Sequence, residues 1–201
     1  MGTLFYFYTL TDALSTSIQA AFSVDARDLA EIRAAFAPRQ LKKGGYFQRA
    51  GYSGEYMAFV ESGLLRVYAL ADGKEVTQWI SGPGYFMTDI AAFSFGVPAR
   101  WNIQALTDCT LYVITREDYL NLGRVLEAWK EIDRRFLAKC FAMMEDRIFG
   151  FISLTAEARY RKLFRENREL FRQVPLQYLA SMLGMTPETL SRIRKKPDVI
   201  S

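Results

Sequence analysis

The chain has no histidine and only two cysteines, Cys109 and Cys140, among its 201 residues. Without an imidazole no histidine dyad or triad can be built, and the commonest zinc and non-haem iron sites lose their usual ligand. Two separated cysteines cannot supply a four-thiolate zinc or iron–sulfur site. Most hydrolase and metalloenzyme classes are thereby excluded. Long hydrophobic runs are missing too: uncharged stretches such as residues 76–88 and 13–24 fall well short of the ~20 apolar residues that a membrane span needs. The apolar start, MGTLFYFYTLTDAL, carries no basic n-region and no clear small-residue cleavage site, so it does not read as a signal peptide. Sparse cysteine and no export signature predict a reducing, cytoplasmic compartment, with no membrane partner.

What is present is a core and an uneven charge. Half of the residues are hydrophobic, enough to bury a core in one large domain or two small ones. The net charge of +4 is not spread along the chain: residues 1–152 hold 16 basic and 17 acidic side chains, whereas residues 153–201 hold 10 basic and 5 acidic. That imbalance suggests a polyanion partner for the last quarter, the plainer alternative being a solvated basic surface.

Nine of the 13 glycines lie between Gly44 and Gly96, punctuating short runs rich in aromatic and branched residues. Residues 55–62, 64–70, 75–80, 100–106 and 109–114 read as strands, with Asp72-Gly73 as a hairpin turn. Several short strands at near-regular spacing predict an antiparallel sandwich or barrel. Residues 25–36 have helical spacing and would cap it. After Gly123 the period changes: Trp129, Ile132, Phe136, Cys140, Met143 or Met144, and Ile148 recur at three- and four-residue steps on a helix of about 25 to 30 residues, roughly 40 Å long. With Leu137 and Phe141 the stripe is wide enough for two neighbours, which predicts a helix packed on the barrel and on its symmetry mate in a parallel dimer; an intramolecular core helix is the alternative.

Residues 174–196, VPLQYLASMLGMTPETLSRIRKK, carry the most information. Pro175 suits a first helical turn, and Leu176, Leu179, Ala180 and Leu183 make a buried face. Gly184 supplies the positive φ that ends a helix. Thr186 is a good N-cap, Pro187 follows, Glu188 sits where the helix dipole favours an acid, and Leu190 with Ile193 returns to the core. Small Ala180, Gly184 and apolar Leu190 have the spacing of a helix-turn-helix. The outward residues of helix 186–196 are Thr186, Glu188, Thr189, Ser191, Arg192, Lys195 and Lys196: arginine reads guanine, glutamate accepts from cytosine, and hydroxyls and lysines hold phosphates. The plainer alternative is that Glu188 and Arg192 form an exposed i,i+4 pair.

In the order of its parts the chain resembles the Crp/Fnr family of bacterial transcription regulators. The segments that carry this are LKKGGYFQRAGYSGEYMAFVESGLLRVYALADGKEV, NIQALTD, TAEARY at residues 155–160, and residues 174–196; the last two look like the branch typical of Bacteroidetes. The resemblance implies an α+β chain: an N-terminal antiparallel β-roll of the jelly-roll type, a long dimerisation helix, and a C-terminal all-α helix-turn-helix domain whose wing is truncated or absent. On that plan residues 1–18 are an N-terminal extension, 19–120 a sensor roll, 121–152 the dimer helix with Trp129, Ile132, Phe136, Cys140, Met143 and Met144, and 153–201 the DNA-binding domain. Cys140 is expected to be a small core residue rather than a redox switch.

In cyclic-nucleotide-binding members a Gly-Glu pair holds the ribose and an arginine holds the cyclic phosphate. Here Thr88 and Asp89 stand at the pair, Ala99 stands at the arginine, and Arg100 follows one residue later, where strand alternation would turn it to the opposite face. The candidate effector pocket is therefore Thr88, Asp89, Ile90, Ala91, Arg100 and Trp101, with a cyclic nucleotide disfavoured as its ligand and Arg100 read as a stacking partner of Trp101. A four-cysteine oxygen sensor and a histidine-ligated haem are excluded. The resulting expectation is a non-enzymatic, cytoplasmic regulator with double-stranded DNA, a second copy of itself, an unidentified small-molecule effector and, as a further candidate, RNA polymerase for partners. The rivals are a small-ligand or cyclic-nucleotide-binding module without operator-specific function, and a cupin-like enzyme, which the lack of histidine disfavours.

Overall fold

The computed structural model describes residues 13–195. The chain opens with two helices, α1 (Ala13–Phe22) and α2 (Ala26–Ala34). Leu14, Ile18 and Phe22 follow one another at four-residue steps and are all fully buried. A division at residue 18 therefore cuts through α1, whose described part is no separate extension. Asp25 starts α2 by accepting the N–H groups of Arg27 and Asp28, the usual way to satisfy first-turn donors.

Eight strands follow: β1 (Ala37–Leu41), β2 (Tyr46–Gln48), β3 (Tyr56–Ser62), β4 (Leu65–Ala71), β5 (Lys74–Ser81), β6 (Phe86–Met87), then, after the short helix α3 (Ile90–Phe95), β7 (Asn102–Ala105) and β8 (Cys109–Thr115). They form two antiparallel four-stranded sheets, ordered β1-β8-β3-β6 and β2-β7-β4-β5. The five expected strands are there; β1, β2 and β6 are additional. The hairpin at Asp72-Gly73 joins β4 to β5 with Ala71 opposite Lys74. Both turn residues have positive φ, 50° and 73°, the pairing that a two-residue turn needs to match strand twist. Between the sheets lie Phe47, Ala58, Val60, Leu65, Val67, Met87, Ile103, Leu111 and Val113, with Trp79 and Trp101 at the edge. The fold is α+β, a jelly-roll-type β-roll followed by helices.

Those helices are α4 (Arg116–Val125), α5 (Trp129–Ser153), α6 (Ala156–Glu166), α7 (Leu170–Gln173), α8 (Leu176–Met182) and α9 (Pro187–Arg194). The long helix has 25 residues. It starts at Trp129 rather than near residue 121, because Leu126 leaves helical geometry and closes α4. One face of α5 buries Trp129, Ile132 and Phe136 against the roll and α1, where Phe22 stacks on Phe136 at 4.4 Å between centroids. Among the described residues no helix is long and apolar enough to cross a membrane.

Candidate functional site

The pair α8–α9 is joined by a tight left-handed turn. Gly184 has φ 65°, its N–H donates to Ser181, and the Met185 N–H donates to Ala180, which together close the end of α8. A Cβ at Gly184 would lie 2.9 Å from the Phe151 ring, so position 184 needs glycine for space as well as for φ. Ala180 and Leu190 are fully buried; the small residue lets the two helices approach where they cross. Thr186 caps α9 by accepting the Thr189 N–H, and Pro187 occupies its first turn.

The outward residues of α9 are placed as the sequence suggests. Thr186, Glu188, Arg192 and Lys195 are exposed, and Thr189 and Ser191 half-buried; Lys196 lies outside the described residues. Glu188, Ser191, Arg192 and Lys195 border one open hollow with Leu176 and Pro187. Glu188 does not pair with Arg192. Its own backbone N–H and the Thr186 hydroxyl hold its carboxyl below the usual glutamate value. The side chains of Ser191, Arg192 and Lys195 make no hydrogen bond or ion pair among the described residues, so their polar atoms are left for a partner. Arg194 was not singled out by sequence, and its charge acts on the buried Tyr160 of α6.

Residues 88–101 are arranged differently. Asp89 is 3% exposed. One carboxylate oxygen caps α3 by accepting the Ala92 N–H at 3.1 Å, and the other accepts the N–H groups of Arg100 at 2.7 Å and Trp101 at 3.0 Å. The Thr88 hydroxyl donates to the Tyr56 carbonyl at 2.8 Å. Ile90, Ala91 and Arg100 are exposed, and the Arg100 guanidinium lies 4.7 Å over the Trp101 ring. Arg100 and Trp101 precede β7 instead of lying within it, because Asp89 takes their N–H groups. Ala99 is buried where a phosphate-holding arginine would stand. Thr88, Asp89, Arg100 and Trp101 are thus tied together through the backbone, while Ile90 and Ala91 stand exposed at the start of α3, a different arrangement from the set of ligand contacts that the sequence suggests. A cyclic phosphate does not fit them: the only buried charge is an anion with its oxygens occupied.

Residues 38–124 match the model of the cyclic nucleotide-binding domain. No curated protein matches the chain in sequence. Among solved structures it is similar to the c-di-GMP-responsive global regulator CLP of Xanthomonas campestris, with 19% identity and TM-score 0.66 over 88% of this chain and 93% of that one. It is also similar to FixK2 of Bradyrhizobium japonicum, with 20% identity and TM-score 0.65 over 79% of this chain and 82% of that one. The regulatory domain of Toxoplasma gondii PKA, solved with cAMP, has 23% identity and TM-score 0.51, and the match spans 56% of this chain but only 44% of that one. At these identities the likeness shows a common fold.

The β-roll touches the C-terminal helices through residues that sequence reasoning missed. Arg66 of β4 is buried, donates to Thr77 at 2.9 Å and Glu75 at 2.6 Å, and sits 3.7 Å over the Tyr178 ring of α8. The Ser181 hydroxyl of α8 accepts the Thr77 N–H of β5. A lone arginine inside the apolar run LLRVYAL was the available signal. The residues singled out on the long helix divide between two faces, and those that pack on the roll do so as the sequence suggests. Trp129, Ile132 and Phe136 are used on the domain's own core with Cys140 packed against it, and Met143 faces a cavity of the same chain. Of the six, Met143 and Met144 are exposed, by 52% and 41%, with Met144 on the side away from that cavity, because one apolar stripe in the sequence is two faces in the helix.

Proposed function

We propose that the chain is a DNA-binding transcription regulator of the Crp/Fnr type, of the branch to which the TAEARY segment points, and that it acts without catalysing a reaction. A homodimer would present two copies of α9 to successive major grooves of an inverted repeat. The observation that carries this reading is the unused polar face of α9: Ser191, Arg192 and Lys195 have no partner among the described residues, and Arg192 extends from an N-capped helix whose opposite side is anchored by buried Leu190 and Ile193. Arginine in such a position reads a guanine edge with two hydrogen bonds, and lysine beside it meets phosphate.

Support for the dimer comes from α5. Leu137, Phe141, Met144, Ile148 and Ile152 succeed one another at three- and four-residue steps, the spacing of a coiled-coil seam. They are exposed in the single chain, Phe141 by 66%, Ile148 by 55% and Ile152 by 78%. A contiguous apolar ladder of this kind marks an interaction surface.

The test is selection of random duplex DNA by the purified, ligand-free protein at near-physiological salt, with the oligomeric state measured by sedimentation. Enrichment of an inverted repeat with half-sites about one helical turn apart is expected. A folded, dimeric protein that enriches no sequence and gains none with cyclic nucleotides would remove the DNA-reading role. A monomer at micromolar concentration would remove the dimer.

A further inference from the structure

Where the roll, α5, α6 and α8 meet, they enclose a cavity of about 470 Å³, within the usual range of small-molecule sites. Its wall is built from Leu64, Trp79, Ile80, Phe151, Leu163 and Leu183. This is a different face of α5 from the open ladder. Met143, Arg147, Gly150 and Leu154 border the cavity, whereas Phe141, Met144, Ile148 and Ile152 point away from it, so a dimer across the ladder leaves the cavity accessible.

Two half-buried guanidiniums stand in this apolar wall without a carboxylate. Arg147 donates to the carbonyls of Gln78 in β5 and Met182 in α8. Arg159 donates to Leu183 at 3.0 Å and Leu154 at 2.8 Å. Both lie against the Phe151 ring, at 5.4 and 5.1 Å. Neither forms an ion pair among the described residues. Burial pushes the Arg147 pKa down from its ordinary value, as expected for a charge removed from water with only carbonyl partners. The acids that border the cavity, Asp146, Glu166 and Glu169, are exposed, and Glu169 is already engaged by Arg172 and Gln173. The charges set into the wall itself are therefore both positive, while the rim mixes exposed Lys162 with those exposed carboxylates.

We propose that this cavity binds a small, mainly apolar carboxylate, its chain against Trp79 and Phe151 and its head group on Arg159 and Arg147. The same two arginines hold the last carbonyls of α8, so occupancy draws on the bonds that fix α8 and α9 to the roll. This would be the effector site of the regulator proposed above, and it rests on that reading for the word effector alone; binding is measured without DNA, so either claim can fail by itself.

The experiment is calorimetric titration of the full chain with octanoate, octan-1-ol and octylammonium, repeated on Gly150→Phe and Lys162→Glu. A Cβ at Gly150 meets only Leu154 Cδ1, at 3.7 Å, so the new ring grows into the cavity, and replacing a mid-helix glycine favours α5. One octanoate per chain is expected, with octylammonium at least tenfold weaker, Gly150→Phe weakened at least tenfold without a lower melting temperature, and the surface change Lys162→Glu weakened at least threefold. No saturable octanoate binding, equal binding of octylammonium, or unchanged affinity in Lys162→Glu would overturn the proposal. If Gly150→Phe folds and keeps its affinity, that overturns it as well.

Discussion

Residues 88–101 and residues 186–195 begin in the same way and end differently. Each opens with a capped helix, Asp89 before α3 and Thr186 before α9. In the first segment the cap's second oxygen also binds two N–H groups, the neighbouring hydroxyl donates to a carbonyl, and the one cation stacks on the next ring. In the second the cap is satisfied, and the side chains beyond it keep their donors. Residue type marked both segments as sites. What separates them is whether polar atoms remain after the fold has taken its share, and an acid enclosed by three N–H groups belongs to the scaffold.

The sharpest test of that difference is Asp89→Ala. Three donors lose their acceptor in a buried position, and at the ~1–3 kcal/mol that an unsatisfied buried group costs, with partial relaxation, the loss of stability should be about 3 kcal/mol. Asp89→Asn keeps one acceptor oxygen and should lose about 1 kcal/mol, near the usual worth of a cap. Urea unfolding measures both. Sequence preference for DNA should be unchanged in the folded protein. If Asp89→Ala unfolds like the parent chain, the Asp89 tie is not structural and the contrast between the segments collapses.

Arg192→Ala is the converse change and should leave unfolding within ~0.5 kcal/mol of the parent, as exposed positions without partners do. Binding to the selected operator should weaken by about 1–3 kcal/mol per half-site, with relaxed preference at one base position. Arg194→Ala should weaken binding less and without relaxing sequence preference, since that side chain lies by Tyr160. Equal effects of the two arginines, uniform across sequences, would mean that α9 contributes charge alone.

How far the sequence was legible follows from the same distinction. Periodicity found five of the strands and the long helix, because alternation and 3.6-residue spacing are local. The turn chemistry of Asp72-Gly73 and Gly184 was legible for the same reason: positive φ restricts the residue types. Strands β2 and β6 were missed since they have only three and two residues, and β1 because it shows no buried alternation and its place depends on a partner far along the chain, Ala37–Leu41 pairing with β8. Helix α1 was readable from Leu14, Ile18 and Phe22 but lacks charged end signals. The two faces of α5 could not be separated, because a one-dimensional stripe does not record which neighbour covers which residue. The Arg66–Tyr178 contact joins residues more than a hundred positions apart, and only the fold brings them together.

The smallest expected effect concerns pH. The chain has no histidine, and the shifted thiols and carboxyls move away from neutrality. Burial pushes the thiols of Cys109 and Cys140 up, while the N-terminal hydrogen bonds of α9 push Glu188 down. A carboxyl lowered on folding contributes its stabilisation above the unfolded value, about 4.3 for glutamate, and loses it only as pH falls through the lower folded value. The charge pattern of α9 should thus be constant through neutrality and change only in acid. Operator affinity at fixed ionic strength, followed by fluorescence anisotropy from pH 6.0 to 8.0, should vary by less than about twofold, since no side chain with an unperturbed pKa in that window is present. A tenfold change there would mean that DNA contact brings another group into the window, and α9 would no longer be the fixed-charge counterpart of the tied segment 88–101.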